Sequence, residues 1–178
     1  MRIISGTFKG RRINAPKKLP VRPTTDMSKE SLFNILRNRY SLTRITVLDL
    51  FSGTGNISYE FASRGAEAVT AVDGNAGCAK FIQETANEFE MNINVIKSDV
   101  YSYLARESNK YDIIFADPPY DFETDQFTKI VDYVMNNELL LPDGCLIIEH
   151  SKNTNLEDHP TFFEIRKYGG SAFSFFSK

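Results

Sequence analysis

The spacing of apolar residues changes character near residue 45. Before that point, RII (2–4) and RRINA (11–15) are short extended stretches separated by Gly6 and Gly10, a pattern that predicts a small hairpin. Pro16, Pro20 and Pro23 then interrupt regular structure. Thr24, Thr25 and Asp26 supply N-cap side chains, and Leu32, Phe33, Ile35 and Leu36 follow as an apolar stripe, so a helix is predicted over 27–40.

From residue 45 onward, short apolar runs alternate with helical stretches. ITVLDLF (45–51) is nearly continuous and rich in β-branched residues, as a strand buried on both faces requires. Strands are predicted over 68–73, 93–99, 111–119 and 144–150. Helices are predicted from ISYEFASRG to a cap at Gly65, and over 75–90, 100–107 and 125–137. FFEIRKY and SAFSFF, joined by Gly169-Gly170, predict a terminal antiparallel hairpin. This alternation implies an α/β fold: a doubly wound, mostly parallel seven-stranded sheet with an antiparallel C-terminal hairpin. A small hairpin-and-helix extension (1–44) precedes the main domain (45–178). Ligands of such sheets bind beyond the carboxyl ends of the strands, at the switch point.

Composition excludes some alternatives. The chain has 178 residues, 42% hydrophobic and 25% charged, a globular balance rather than a disordered one. No apolar run reaches the roughly 20 residues that cross a bilayer, and the N-terminus lacks a secretory h-region. A cytoplasmic protein without membrane contact is expected. Cys78 and Cys145 are too few for a disulfide framework. His150 and His159 are wrongly spaced relative to them for a zinc site, so no metal is expected.

The net charge of -2 hides an uneven distribution. Residues 1–44 carry +9 and residues 45–178 carry -11. A basic amino end on an acidic body suggests a polyanion docked at one end, held through phosphates without reading sequence.

Two motifs carry the chemistry. VLDLFSGTG (47–55) places Gly53 and Gly55 between a buried strand and a helix, where glycine permits a tight turn and a close ligand. Ser58 stands where a dinucleotide fingerprint has its third glycine, and no phosphate-loop Lys follows. Alone, the turn fits an ordinary βα connection. Asp73 and Asp99, at the ends of the next two strands, change that reading. A carboxylate at such a position accepts from a ribose diol, and a second one can accept from an adenine amino group. Asp117-Pro118-Pro119-Tyr120 ends the fourth long strand. Two prolines in a row make a rigid shelf with free carbonyls, which with Asp117 offers acceptors only. Acceptors grip an exocyclic NH2 and aim its lone pair at an electrophile, while Tyr120 offers a flat face to an extruded base.

These residues resemble the S-adenosylmethionine-dependent class I methyltransferases that methylate amines. More closely, the chain resembles the RsmD family of 16S rRNA guanine N2-methyltransferases. The likeness spans RIISGTFKGRRI (2–13), RPTTDMSKESLFN (22–34), VLDLFSGTG, DPPY and IIEHSK (147–152). It implies S-adenosylmethionine as cofactor, bordered by Asp49, Phe51, Ser52, Gly53, Thr54 and Gly55, with Asp73 on the ribose and Asp99 and Val100 at the adenine. It implies that Asp117, Pro118, Pro119 and Tyr120 hold the target guanine. Arg2, Lys9, Arg11, Arg12, Arg22, Thr24, Thr25 and Lys29 would grip 16S rRNA in the small ribosomal subunit, by a chain expected to be a monomer. Ser5-Gly6 departs from the family's Gly-Gly, and Met27-Ser28-Lys29 from its more basic run.

Competing readings are a DNA adenine N6-methyltransferase, a non-catalytic rRNA-binding assembly factor and an NAD-type oxidoreductase. The first lacks a target-recognition domain, the second leaves DPPY without a role, and the third lacks its glycine. Phe162, Phe163, Phe173, Phe175 and Phe176 are expected to be the buried edge of the sheet, and Cys145 core packing.

Overall fold

The computed structural model describes residues 1–21 and 24–178. Its elements are α1 (Asp26–Arg37), β1 (Thr46–Leu50), α2 (Asn56–Ser63), β2 (Ala68–Asp73), α3 (Ala76–Glu88), β3 (Ile93–Lys97), α4 (Val100–Leu104), β4 (Tyr111–Ala116), α5 (Thr124–Asn136), β5 (Leu140–Ser151), β6 (Phe162–Tyr168) and β7 (Ser171–Phe176). The seven strands run in the order β3-β2-β1-β4-β5-β7-β6. β1 to β5 pair in parallel, whereas β7 runs antiparallel to both β5 and β6.

Successive side chains of a strand face opposite sides, and the register carries this alternation across the sheet. Val47, Ile113, Ile147 and Phe175 face α1, α2 and α3. Leu48, Ile114, Leu146 and Phe176 face α4 and α5. Burial of each such side chain contributes roughly 1.5–3 kcal/mol, so the two apolar layers account for most of the fold's stability.

The predicted elements recur with shifted ends. α1 begins one residue early because the Thr25 side chain accepts from Ser28 N at 3.1 Å, and it ends at Arg37 rather than at 40. The N-terminal hairpin is reduced to one antiparallel bridge, Arg2 to Arg12. β5 starts four residues earlier than predicted: Pro142 and Asp143 lie in an irregularity of register, with Asp143 at φ 64°. Phe173, Phe175 and Phe176 are buried as expected, but Phe163, on edge strand β6, is 48% exposed.

The described part of the first 44 residues is packed onto the sheet. Ile3, Ile13, Leu32, Phe33 and Leu36 belong to the same apolar layer as Val47 and Phe61. A buried carboxylate fixes the amino end there. Glu60 of α2 accepts from Ile4 N at 2.9 Å, Ser5 N at 3.0 Å and Arg64 Nε at 2.8 Å, and it faces Lys29 Nζ at 3.3 Å. Lys29 also donates to the Arg2 carbonyl at 2.6 Å and to Asn56 Oδ1 at 2.8 Å.

Candidate functional site

β1 has β2 on one side and β4 on the other, so the direction of winding reverses between β1 and β4. A crevice must open beyond their carboxyl ends. A cavity of about 1010 Å³ lies there. The two motifs meet across it, and Asp117 N donates to the Leu50 carbonyl at 3.3 Å.

The turn after β1 forms one wall. Phe51 has a φ of 56°, a strained value for a side chain with a Cβ, and it turns the chain sharply off the sheet. Phe51, Ser52, Gly53 and Thr54 line the cavity. Gly53 N donates to Asp73 Oδ2 at 2.8 Å, and Asn75 N donates to Oδ1 at 2.8 Å. The Asp73 carboxylate is therefore held in place, and each oxygen keeps a further lone pair for a ligand. Asp49 forms part of the floor, fully buried, and its Oδ2 accepts from Ser58 Oγ at 2.5 Å. Burial pushes its carboxyl up to about 7, with nearby Asp73 adding to the effect and the Ser58 hydroxyl opposing it.

Asp117, Pro118, Pro119 and Tyr120 form the facing wall. Pro118 is buried and Pro119 exposed, so the shelf has one anchored and one open residue. Tyr120 is 42% exposed at the rim, its hydroxyl 2.8 Å from Ser171 Oγ.

Three residues expected at the cofactor stand apart from the cavity wall. Gly55 packs instead on Tyr59: a Cβ there would lie 2.7 Å from Cζ. Asp99 is exposed and caps α4, accepting from Ser102 N at 2.8 Å. Val100 is buried among the apolar side chains of α4 and α5. Conversely, the sequence reading missed the segment that roofs the cavity. Asn14, Ala15, Lys17, Pro20, Val21 and Thr24 line it, and Val21 Cγ1 lies 3.4 Å from where a Gly53 Cβ would be. The proline spacing signalled an irregular segment but not where it lies.

The expected RNA contacts divide. Lys29 is fully buried in its ion pair with Glu60, so it is corrected from an RNA contact to a core residue. Arg22 falls outside the described residues. Arg2, Lys9, Arg11, Arg12 and Thr25 are exposed, and Thr24 is half-buried with its carbonyl accepting from Asn56 Nδ2 at 3.3 Å. The basic residues run from the cavity to the opposite end of the sheet. Met1 and Lys17 line the cavity, whereas Thr7 binds the end of α2 through the Ser63 carbonyl and Arg11 stacks over Phe89 beyond α3. Among the described residues, no group of three His, Cys, Asp or Glu side chains could hold a metal ion, and no helix is long and apolar enough to cross a membrane.

Comparison with known proteins agrees with this geometry. The family model described as Conserved hypothetical protein 95 matches residues 1–177. The Ribosomal RNA small subunit methyltransferase D of Buchnera aphidicola subsp. Baizongia pistaciae is 30% identical over 156 residues, covering 87% of this chain and 78% of that one. Among solved structures, Escherichia coli yhhF superposes with a TM-score of 0.86 at 26% identity, covering 99% of this chain and 96% of that one. The Thermus thermophilus 16S rRNA N2 G1207 methyltransferase shares the fold at a TM-score of 0.73 and 22% identity, over 90% of this chain and 45% of that one. The fold is thus the class I methyltransferase fold, and the chain belongs to the Conserved hypothetical protein 95 family, that of the ribosomal RNA small subunit methyltransferases D.

Proposed function

We propose that this chain transfers the methyl group of S-adenosylmethionine to the N2 amine of a guanine in 16S rRNA, acting on the small ribosomal subunit or its assembly intermediate. The observation that carries the reading is the placement of the Asp117 to Tyr120 shelf opposite the glycine turn across one cavity. The residues fit the cofactor: Asp73 is fixed with lone pairs to spare for a ribose diol, and Asp49 is a buried carboxylate that an ammonium group would match. When bound, S-adenosylmethionine supplies an electrophilic methyl group on a sulfonium.

The protein's own work is orientation. The Asp117 carboxylate and the shelf carbonyls accept the two hydrogens of the guanine NH2, which fixes the nitrogen lone pair toward the cavity. As the nitrogen takes the methyl, the methyl–sulfur bond would break to leave a neutral thioether and the amine becomes acidic; the neighbouring Asp117 carboxylate stabilises the developing positive charge, and the released proton passes to water without a strong base. Tyr120 supplies a stacking face for a base taken out of its helix. Arg2, Lys9, Arg11 and Arg12 neutralise phosphates along the side of the molecule that descends from the cavity. Lys29, buried in its ion pair with Glu60, has no direct part in this scheme.

The test is transfer of a labelled methyl group to small subunits lacking the modification, beside deproteinised 16S rRNA and duplex DNA. Label recovered as N2-methylguanosine is the expected result. Label recovered only in DNA adenine, or in no nucleic acid, overturns the reading. Asp117→Ala should lose transfer by about 100-fold or more and keep its cofactor affinity.

A further inference from the structure

We propose that Leu19 is a positioning residue for the cofactor: its side chain, seated on Gly77, holds residues 14–21 closed over the S-adenosylmethionine site. The proposal rests on that site and not on the identity of the acceptor. α3 begins beside the cavity, which Asn75 and Cys78 line. A Cβ on Gly77 would lie 2.9 Å from Leu19 Cδ2, so Leu19 occupies the space that a larger residue would fill. Gly77 stands inside a helix, where glycine is disfavoured, and it has no positive φ that would require one. What glycine supplies at this position is room for Leu19.

The same segment touches the glycine turn, where Val21 Cγ1 lies 3.4 Å from the place of a Gly53 Cβ. Gly53 N and Asn75 N are the two donors that hold the Asp73 carboxylate. The seats of Val21 and Leu19 therefore fall on both arms of the cradle around Asp73, and Pro20 and Val21 line the cavity there. The segment is anchored at its ends: Ile13 is buried in the core, and the Thr24 carbonyl accepts from Asn56 Nδ2 at 3.3 Å. Between these anchors, the backbone bonds among the described residues stay within the segment. Leu19 N donates to the Pro16 carbonyl at 3.2 Å, and Val21 N to the Leu19 carbonyl at 2.9 Å. Side-chain seats rather than a backbone ladder thus decide whether the cover stays down. Loss of a seat is read mainly in how fast a covered ligand leaves, since changed contacts alter dissociation more than association.

The probe is S-adenosylhomocysteine, the demethylated cofactor, and the test needs neither RNA nor turnover. Leu19→Ala and Gly77→Ala should each speed its dissociation in stopped-flow displacement, by about three- to ten-fold. Leu19→Met keeps the apolar bulk and should retain the parent rate. Gly77→Ala should not lower the melting temperature, because alanine favours a helix and Leu19 Cδ2 is the free end of a flexible side chain. A Cβ at 77 also meets Asn75 Oδ1 at 3.1 Å, and the double variant separates the two effects. With Leu19 shortened, the added methyl has no leucine to displace, so the double variant should release the probe no faster than Leu19→Ala. Trypsin gives a readout in the ligand-free protein. Cleavage after Lys17 and Lys18, both exposed on this segment, should rise in either single variant, and in the parent it should fall when the probe is bound. Unchanged dissociation and cleavage in both variants, or additive effects in the double one, overturn the proposal. Cleavage that responds to the variants in a protein that binds no S-adenosylhomocysteine supports the seat and overturns the cofactor site beneath it.

Discussion

Lys29 Nζ and Glu60 Oε2 face each other at 3.3 Å with both side chains wholly out of water, and this pair joins the amino end of the chain to the helix behind the glycine turn. Glu60 also accepts from two backbone amides of the amino-terminal segment, and Lys29 donates to its Arg2 carbonyl and to Asn56 at the cavity. The pair therefore links the basic arm to the cofactor wall through buried charge.

Removing one partner should expose what that link is worth. Lys29→Ala leaves Glu60 buried without its lysine, and breaking a buried pair from one side costs about 3–5 kcal/mol. Equilibrium urea denaturation should show that loss. A variant that kept its stability and lost only rRNA affinity would instead return Lys29 to the RNA-binding surface.

Asp49 gives a prediction in pH. Its carboxyl is raised from 3.8 to about 7 by burial. A raised acid favours the protonated folded state, so its stabilising effect is complete below pH 4 and fades as pH climbs through 7. Asp49→Asn should therefore be more stable than the parent above pH 7, by about 2–4 kcal/mol, with the gap closing in acid. Cofactor affinity should run the other way. An ammonium ligand favours the ionised carboxylate, so binding should tighten as pH rises through about 7, and calorimetric titration of Asp49→Asn should lose that slope.

Asp73 should matter for the cofactor and little for the fold. Its two oxygens hold Gly53 N and Asn75 N, both at 2.8 Å. Asp73→Ala removes the proposed ribose acceptor and frees the glycine turn, so affinity should fall about ten-fold or more, as expected for a charged hydrogen-bond acceptor. An unchanged dissociation constant by calorimetry would place the ribose elsewhere.

The outcome of the sequence reading follows from which forces are local. β2, β6 and β7 are legible to the residue, because in each a run of apolar, aromatic or β-branched side chains stands between turn residues, whether the strand is buried or at the edge. The glycine turn and the DPPY shelf were legible because strand order brings the ends of β1 and β4 together. Lys29 was misread because a charge in a basic stretch looks solvated, and its partner Glu60 lies 31 positions on, in another helix. Asp99 follows β3 as read, and its side chain caps α4, a local use of a carboxylate that the strand pattern alone does not distinguish from a ligand contact. The segment over residues 14–21 carries no periodic signal, so only tertiary packing reveals that it roofs the cavity.

Gly6 marks where that packing is tightest. Its φ is 87°, and a Cβ built there would lie 1.8 Å from the Ser63 carbonyl oxygen, a backbone atom with no freedom to retreat. The same carbonyl accepts from Thr7 N at 2.8 Å, while Ser63 Oγ accepts from Phe8 N at 3.0 Å and donates to the Ser5 carbonyl at 2.6 Å. Gly6→Ala must break this group of bonds and lift the segment from α2. The Lys9, Arg11 and Arg12 bonds should then open to trypsin under native conditions, well before the sheet is cut. Gly169→Ala makes the control, for it has a φ of 58° but open space around it, and should cost only about 1 kcal/mol of backbone strain. If both variants resisted trypsin as the parent does, the amino-terminal segment would be held by its apolar contacts at Ile3 and Ile13, and the Ser63 bonds would be incidental.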